Sequence, residues 1–326
     1  MDTEQPNPRL SKGKNDMAQL TISEVFAQLQ QGQSLRNAEL SNIDLHGACL
    51  DRANFEQAYL RLANLSEASC FQTDFTGATL IRAVMSGISM HNATLTGARL
   101  TRASLEGSIL REIYAPNAHL HGAVLEGADL SFATLERSDL GEANARGASF
   151  RGVSACAANM QEGNFSMANF NDAKLSQSRW ERANLTGAFL RGADLERAQL
   201  IRTTLASCDL DRADLIGANL TGADLAEAIL HGAELELATL VNADLTGASL
   251  DKSSLFSANL DGAVLQNAKV GSADLRQANL ENTQLDGVDF SNSRVAGAIF
   301  TNAAGLTAEQ KEFLEANGAL NVPFSS

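Results

Sequence analysis

Few residues in this chain have the type and spacing to do chemistry. Five histidines stand at positions 46, 91, 119, 121 and 231, and four cysteines at 49, 70, 156 and 208. Metal binding or nucleophilic catalysis needs several such groups converging on one point. Only His119 and His121 lie close together, flanking Leu120 just after Pro116. They share a general direction and could take up a stray metal ion, but a solvated surface is the simpler assignment. The cysteines are far apart and form no CxxC pair, which points to reduced thiols in a cytoplasmic protein and away from a zinc site. Arg82, Arg102, Arg182 and Arg202 recur at multiples of twenty and could receive a carboxylate, with a solvated row as the simpler reading. No nucleophile motif, phosphate-cradling glycine loop or dinucleotide fingerprint occurs. No cofactor is expected, and an enzyme is the remotest functional reading.

Charge and composition narrow the partners. With 39 acidic against 25 basic residues, a net −14, the chain is poorly suited to direct nucleic-acid binding, which needs clustered Lys and Arg. The opening MDTEQPNPRLSKGKND is polar, without a signal core, and no run of about 18 apolar residues follows, so no membrane association is expected. Residues 1–20 read as a disordered N-terminal tail.

The elements that must position these side chains follow from a period of five. From Arg36 to Phe300 the chain divides into 53 consecutive five-residue units with no insertion or deletion. The last residue of each unit is Leu in 36 cases and Phe in seven, and never charged; two residues earlier stands Ala in 38 units and another small or apolar residue in the rest. Five residues of α-helix advance about 500°, which scatters the leucines into a spiral, so helix is excluded. In an extended segment residues two apart share a face, so the small and large residues point inward together. The two residues after each Leu must turn the chain. Pairs such as Thr76-Gly77, Glu126-Gly127 and Thr221-Gly222 suit a corner with positive φ, whereas Asp51-Arg52 is expected to use a different turn type.

The units RGADL, IGANL, TGADL, HGAEL and DGAVL resemble the bacterial pentapeptide-repeat family over about four-fifths of the chain. The resemblance implies an all-β solenoid: a right-handed quadrilateral β-helix in which four units make one coil. Fifty-three units then give about 13 coils, a rod of roughly 60–65 Å at about 4.8 Å per coil. Ala115 and Ala155 at the large position are offset by Ile113 and Val153 at the small one, but Ala145 beside Ala143 is not. A thinned core or local bend is therefore expected near residues 141–163.

An open solenoid needs lids. Residues 21–35 read as a capping helix, with Ile22, Val25, Phe26 and Leu29 at helical spacing, the capping box Thr21 to Glu24, and Gly32 as its stop. Residues 301–326 read as a second capping helix and tail, opened by Thr307 to Gln310. Phe313, Leu314, Leu320, Val322 and Phe324 are its candidate cap contacts, or contacts of a homodimer through the C-terminal end, as the resemblance also implies.

Large apolar residues at outward positions are the remaining departures. Four units per coil place Ile216, Leu237 and Phe256 on one edge in consecutive coils, and Ile201 and Val241 on the next edge, as one exposed apolar patch for an unidentified protein partner. The chain's own C-terminal tail is an equally good occupant. Leu62, Phe71 and Ile81 suggest a smaller patch. The leading functional reading is thus a non-catalytic protein-binding scaffold. The resemblance supplies an alternative, mimicry of DNA toward a type II topoisomerase such as gyrase. Against it, the flanks carry −3 and leave −11 on the solenoid, interleaved with arginine and lacking both a continuous acidic stripe and a protruding loop.

Overall fold

The structure, a computed structural model, describes residues 20–323. Its architecture is a solution to backbone hydrogen bonding, which the unit from Thr76 to Leu80 shows in full. The N–H groups of Gly77 and Leu80 donate to Thr96 and Arg99 of the next coil (2.9 and 2.8 Å), and that of Thr79 donates back to Ala58 (2.8 Å). Ala78 closes the turn onto Phe75 at 2.9 Å. The last donor, Thr76 N–H, is met by Oδ1 of Asp74 at 2.9 Å. Parallel bridges join each outward residue to the one twenty positions on, from Glu39 and Tyr59 to Gln284 and Ala304. Twenty residues are four units, so each coil is a square. The first face carries outward positions 39, 59, 79 and so on; the second starts at 44, the third at 49 and the fourth at 54.

The fifth donor explains a recurrent feature of the sequence. Asp or Asn between the small and large residues accepts from the first N–H of the following turn, as at Asp129, Asp139, Asn184, Asp194, Asp214 and Asp224. Much of the acidic charge is therefore structural, an Asx turn repeated along the rod.

All corners use one turn. From Asn37 to Asn302, every second turn residue has positive φ, whether glycine or not. The carbonyl before the turn accepts from the N–H three residues on at every corner but that of Leu280, where the Thr283 hydroxyl donates instead, which makes these type II turns. Asp51-Arg52 is no exception: Arg52 has φ 59° and Ala53 N–H reaches Leu50 O at 3.1 Å. The expected second turn type does not occur, because three inter-coil bonds per unit leave the backbone no alternative path. Two thirds of these corners are not glycine, each at a cost of roughly 1–2 kcal/mol in the left-handed region. Their side chains lean along the rod onto the next corner: a Cβ added to Gly152 would lie 2.7 Å from the Phe132 ring, and one on Gly187 2.7 Å from Met167 Sδ.

The interior is mostly Leu and Ala, with two phenylalanine pairs and one larger aromatic cluster, and at that cluster the expected thin spot is corrected. The ladder passes unbroken through Val124, Asn144 and Asn164. Phe150 and Phe170 stack at 4.6 Å; Phe165 meets both edge-on at 5.8–6.0 Å, and Trp180 meets Phe165 and Phe170 edge-on at 5.2 and 5.3 Å. Rings from neighbouring faces and the following coil thus occupy the space beside Ala145 and Ala155. Gly163 makes room, since a Cβ there would lie 2.5 Å from the Phe165 ring. Trp180 is fully buried, and its indole N–H donates to Ser178 Oγ at 2.7 Å. The compensated position proves the looser one: a cavity of about 10 Å³ lies against Ile113, Ala115, Met90 and Leu120. Ile113 adds volume on its own side of the coil and does not reach the centre.

Helices close the described ends. Helix α1 (Ile22–Gln30) is opened by the capping box of Thr21 and Glu24 and buries Val25, with Phe26 and Leu29 half-buried and Ile22 exposed. Helix α2 (Ala308–Ala316) starts at Thr307, buries Leu314 and packs Phe313 against the core. Gln310 Nε2 donates to the Val288 carbonyl at 2.7 Å. Beyond α2, Leu320 bridges Ile299 and adds one more rung, and Val322 is buried. Phe324 and the N-terminal tail through residue 19 lie outside the described residues.

Candidate interaction surfaces

The ladder decides where each sequence-predicted residue points. The histidines do not converge. His46 Nδ1 meets Ser66 Oγ at 2.9 Å, His91 stacks on Phe71 at 6.0 Å, and His231 Nδ1 meets Asp211 Oδ1 at 3.0 Å. His121 turns to Glu142 and Asp139 of the next coil, at 3.6 and 3.9 Å. Among the described residues, no group of three or more His, Cys, Asp or Glu is placed to hold a metal ion. Cys70 and Cys208 are interior; burial pushes both thiols up, Cys208 to about 12, and Cys208 Sγ donates to Leu185 O.

The outward apolar residues divide into two edges. Ile216, Leu237 and Phe256 follow one another on the corner between the fourth and first faces, where Leu237 N–H donates to Phe256 O at 3.1 Å. Ile201 and Val241 lie on the corner between the first and second faces. The first face separates the two edges with the polar side chains of Gln199, Asn219, Thr239 and Asn259. The single patch expected from the sequence is thus a ridge of three plus two flanking residues, because a polar row lies between neighbouring corners of a square coil. Leu237 is 63 % exposed and the other four are half-buried. Arg276 lies 5.4 Å over the Phe256 ring and is held by Asp274 at 2.6 Å, with Arg294 on the same carboxylate at 3.1 Å. The hydrogen bond from the Arg276 guanidinium keeps the Asp274 carboxyl below its ordinary range. The described C-terminal tail ends on Ala298 and Phe300 and does not cover the ridge.

Other outward groups are visible only in the structure. Phe189 and Ile229 are 45 % and 46 % exposed on the third face. Asp194, Asp214 and Glu234 follow one another on the fourth face in three consecutive coils. Of the four arginines at multiples of twenty, Arg182 pairs with Glu162 at 3.7 Å, while among the described residues Arg82, Arg102 and Arg202 have no carboxylate within ion-pair distance.

The family comparison agrees with this geometry. The family model for pentapeptide repeats, described as eight copies, matches in largely overlapping segments from 38–69 to 263–302. The chain belongs to the pentapeptide-repeat family, whose members form right-handed quadrilateral β-helices and are generally non-catalytic structural repeat proteins. No curated protein matches it in sequence. Among solved structures it is similar to HetL of the cyanobacterium Nostoc sp. strain PCC 7120, a pentapeptide-repeat protein involved in heterocyst differentiation regulation. That match has 28% identity over 86% of this chain and 97% of HetL, with a TM-score of 0.21. A pentapeptide-repeat protein of the Arabidopsis thaliana thylakoid lumen is 30% identical over 39% of this chain and 74% of its own, with a TM-score of 0.29. Full-length QnrB1, a plasmid-mediated fluoroquinolone resistance protein, is 19% identical over 86% and 98%, with a TM-score of 0.22.

Proposed function

We propose that this chain is a non-catalytic protein-binding scaffold, and that the ridge of Ile216, Leu237 and Phe256, flanked by Ile201 and Val241, receives the partner. The observation that carries the reading is Leu237. It has φ 58° and is 63 % exposed, so it bears the cost of a left-handed backbone and gains no burial in return. Asn or Gly would serve the corner better, and a bulky apolar residue kept in such a conformation points to use outside the fold. The rigid ladder holds the ridge in one register, which limits the entropy lost on binding.

The test is partner capture by the intact protein and by an Ile216→Asp, Leu237→Asp, Phe256→Asp variant that keeps the same circular dichroism and melting midpoint. The variant should lose a protein that the parent retains. Equal capture by both removes the ridge from the account.

A second reading, DNA mimicry toward a type II topoisomerase such as gyrase, draws support from Asp194, Asp214 and Glu234, none of which is within ion-pair distance of a basic group. Inhibition of gyrase supercoiling, or relief of fluoroquinolone action, at micromolar protein would place it first. The widely spaced thiols support a reducing, cytoplasmic setting. A homodimer through the C-terminal end would rely on Leu320 and Phe313, since Leu314 and Val322 are already buried in the cap.

A further inference from the structure

Most arginines of this rod pair with a carboxylate, several of them with one in a neighbouring coil. Arg146 pairs with Glu126, Arg182 with Glu162, Arg191 with Asp211 and Arg294 with Asp274, at 3.1–3.7 Å. Of the seven described arginines that do not, Arg52, Arg137 and Arg202 stand singly and the other four stand together. Arg61, Arg82 and Arg102 occupy the corner between the first and second faces in three consecutive coils, and Arg99 lies on the first face beside them. All four are exposed, and among the described residues none is within ion-pair distance of a carboxylate. The flanking rows, positions 59, 79, 99 and 119 on one side and 64, 84, 104 and 124 on the other, contain no Asp or Glu.

The ladder forces these charges together. Arg82 N–H is held by Thr101 O at 3.0 Å and Arg102 N–H by His121 O at 2.9 Å, so the two stems rise one coil, about 4.8 Å, apart. Like charges on neighbouring rungs repel, and the contacts within the chain do not offset that cost. Apolar surface adjoins them: Leu62 shares the corner at φ 58° and 45 % exposure, with Ile81 half-buried beside Arg82.

We propose that this arginine island is the docking surface for a short acidic segment of a partner protein. Its carboxylates are received by Arg61, Arg82, Arg99 and Arg102, and an apolar side chain sits against Leu62 and Ile81. The planar guanidinium fork matches a carboxylate, and Leu62 gives a peptide side chain a contact that a sugar-phosphate backbone lacks. A long polyanion would run beyond the island onto a solenoid of net charge −11 and be repelled there, whereas a short segment stays within it. The site stands about six coils before the apolar ridge and does not depend on it.

Fluorescence anisotropy of the full chain tests this with a labelled peptide in which Glu alternates with Gly around a central Leu. The controls are the same peptide with Gln for Glu, and an oligothymidylate of equal charge. The Glu peptide should bind, weaken as salt is raised, and lose about tenfold in affinity to an Arg82→Gln, Arg102→Gln variant. Arg99→Gln, on the flat face where no corner backbone is involved, should weaken it in the same direction. Arg137→Gln, at an unpaired arginine on another corner, should leave binding unchanged. The proposal is overturned by no binding of the Glu peptide, by equal binding of the Gln peptide, or by unchanged affinity in both island variants. It is also overturned if oligothymidylate binds the same arginines as tightly, which assigns the island to nucleic acid.

Discussion

Two levels of one interior, built on the same five-residue rule, fill their space differently. Around Ala115 the core is leucine and methionine, and a cavity of about 10 Å³ remains. Around Ala145 and Ala155 the unit lacks more volume, yet Phe150, Phe165, Phe170 and Trp180 close over it. The difference teaches that compensation in a coiled core runs across faces and between successive coils, not within a unit. A branched side chain such as Ile113 enlarges its own edge, whereas a ring reaches the axis.

Removing the aromatic reach should do the most damage. Trp180→Ala is expected to cost about 3–5 kcal/mol, read as a large drop in melting midpoint with loss of the near-ultraviolet dichroism of the cluster. If the cost is under about 1 kcal/mol, the rings are not what fills the level. Overfilling the same level comes next. Gly163→Ala places a Cβ 2.5 Å from the Phe165 ring and 3.3 Å from Ala143 O, and should destabilise by about 1–3 kcal/mol. Ser178→Ala removes the acceptor of the Trp180 indole N–H and should cost about 1–2 kcal/mol; an unchanged midpoint would mean that the indole has another partner.

At the looser level a larger residue should be tolerated. Ala115→Val should shift stability by less than about 1 kcal/mol in either direction, with no change in fold by circular dichroism. A loss as large as that of Gly163→Ala would erase the distinction between the two levels. Smallest of all is the effect of acid. Asp274 is held below its ordinary range by Arg276, and Asp289 by Ser291. The stability they contribute is present above the unfolded carboxylate value of about 3.9 and is lost as pH falls through their lower folded values. The melting midpoint should therefore fall below about pH 4, and fall less in Asp274→Asn.

Much of the fold was legible from residue types alone. Ala and Leu two apart dictate an extended unit, and the absence of charge at either position dictates an enclosed interior. The uniform corner was not legible, because Arg52 or Leu62 says nothing locally about positive φ; only the inter-coil bonds compel it. Nor was the filling of residues 141–163, which depends on Trp180 reaching back from a later coil. For the candidate surfaces, the row on which Leu237 lies followed from counting by twenty. The polar face between Leu237 and Val241 required the square coil itself, and the isolation of Arg82 and Arg102 required knowing that most arginines elsewhere on the rod had found carboxylates.

The twenty-residue register has a consequence for how such a chain changes over time. Adding or losing four units alters the length by about 4.8 Å and leaves every downstream side chain on its original face. Adding or losing one unit turns everything downstream by a quarter of a revolution. A single unit inserted between Arg102 and Ile216 would carry the apolar ridge onto the corner of the arginine island, in line with it. The angle between the two surfaces is thus stored as a count of units, which a small duplication can reset without touching a residue in either.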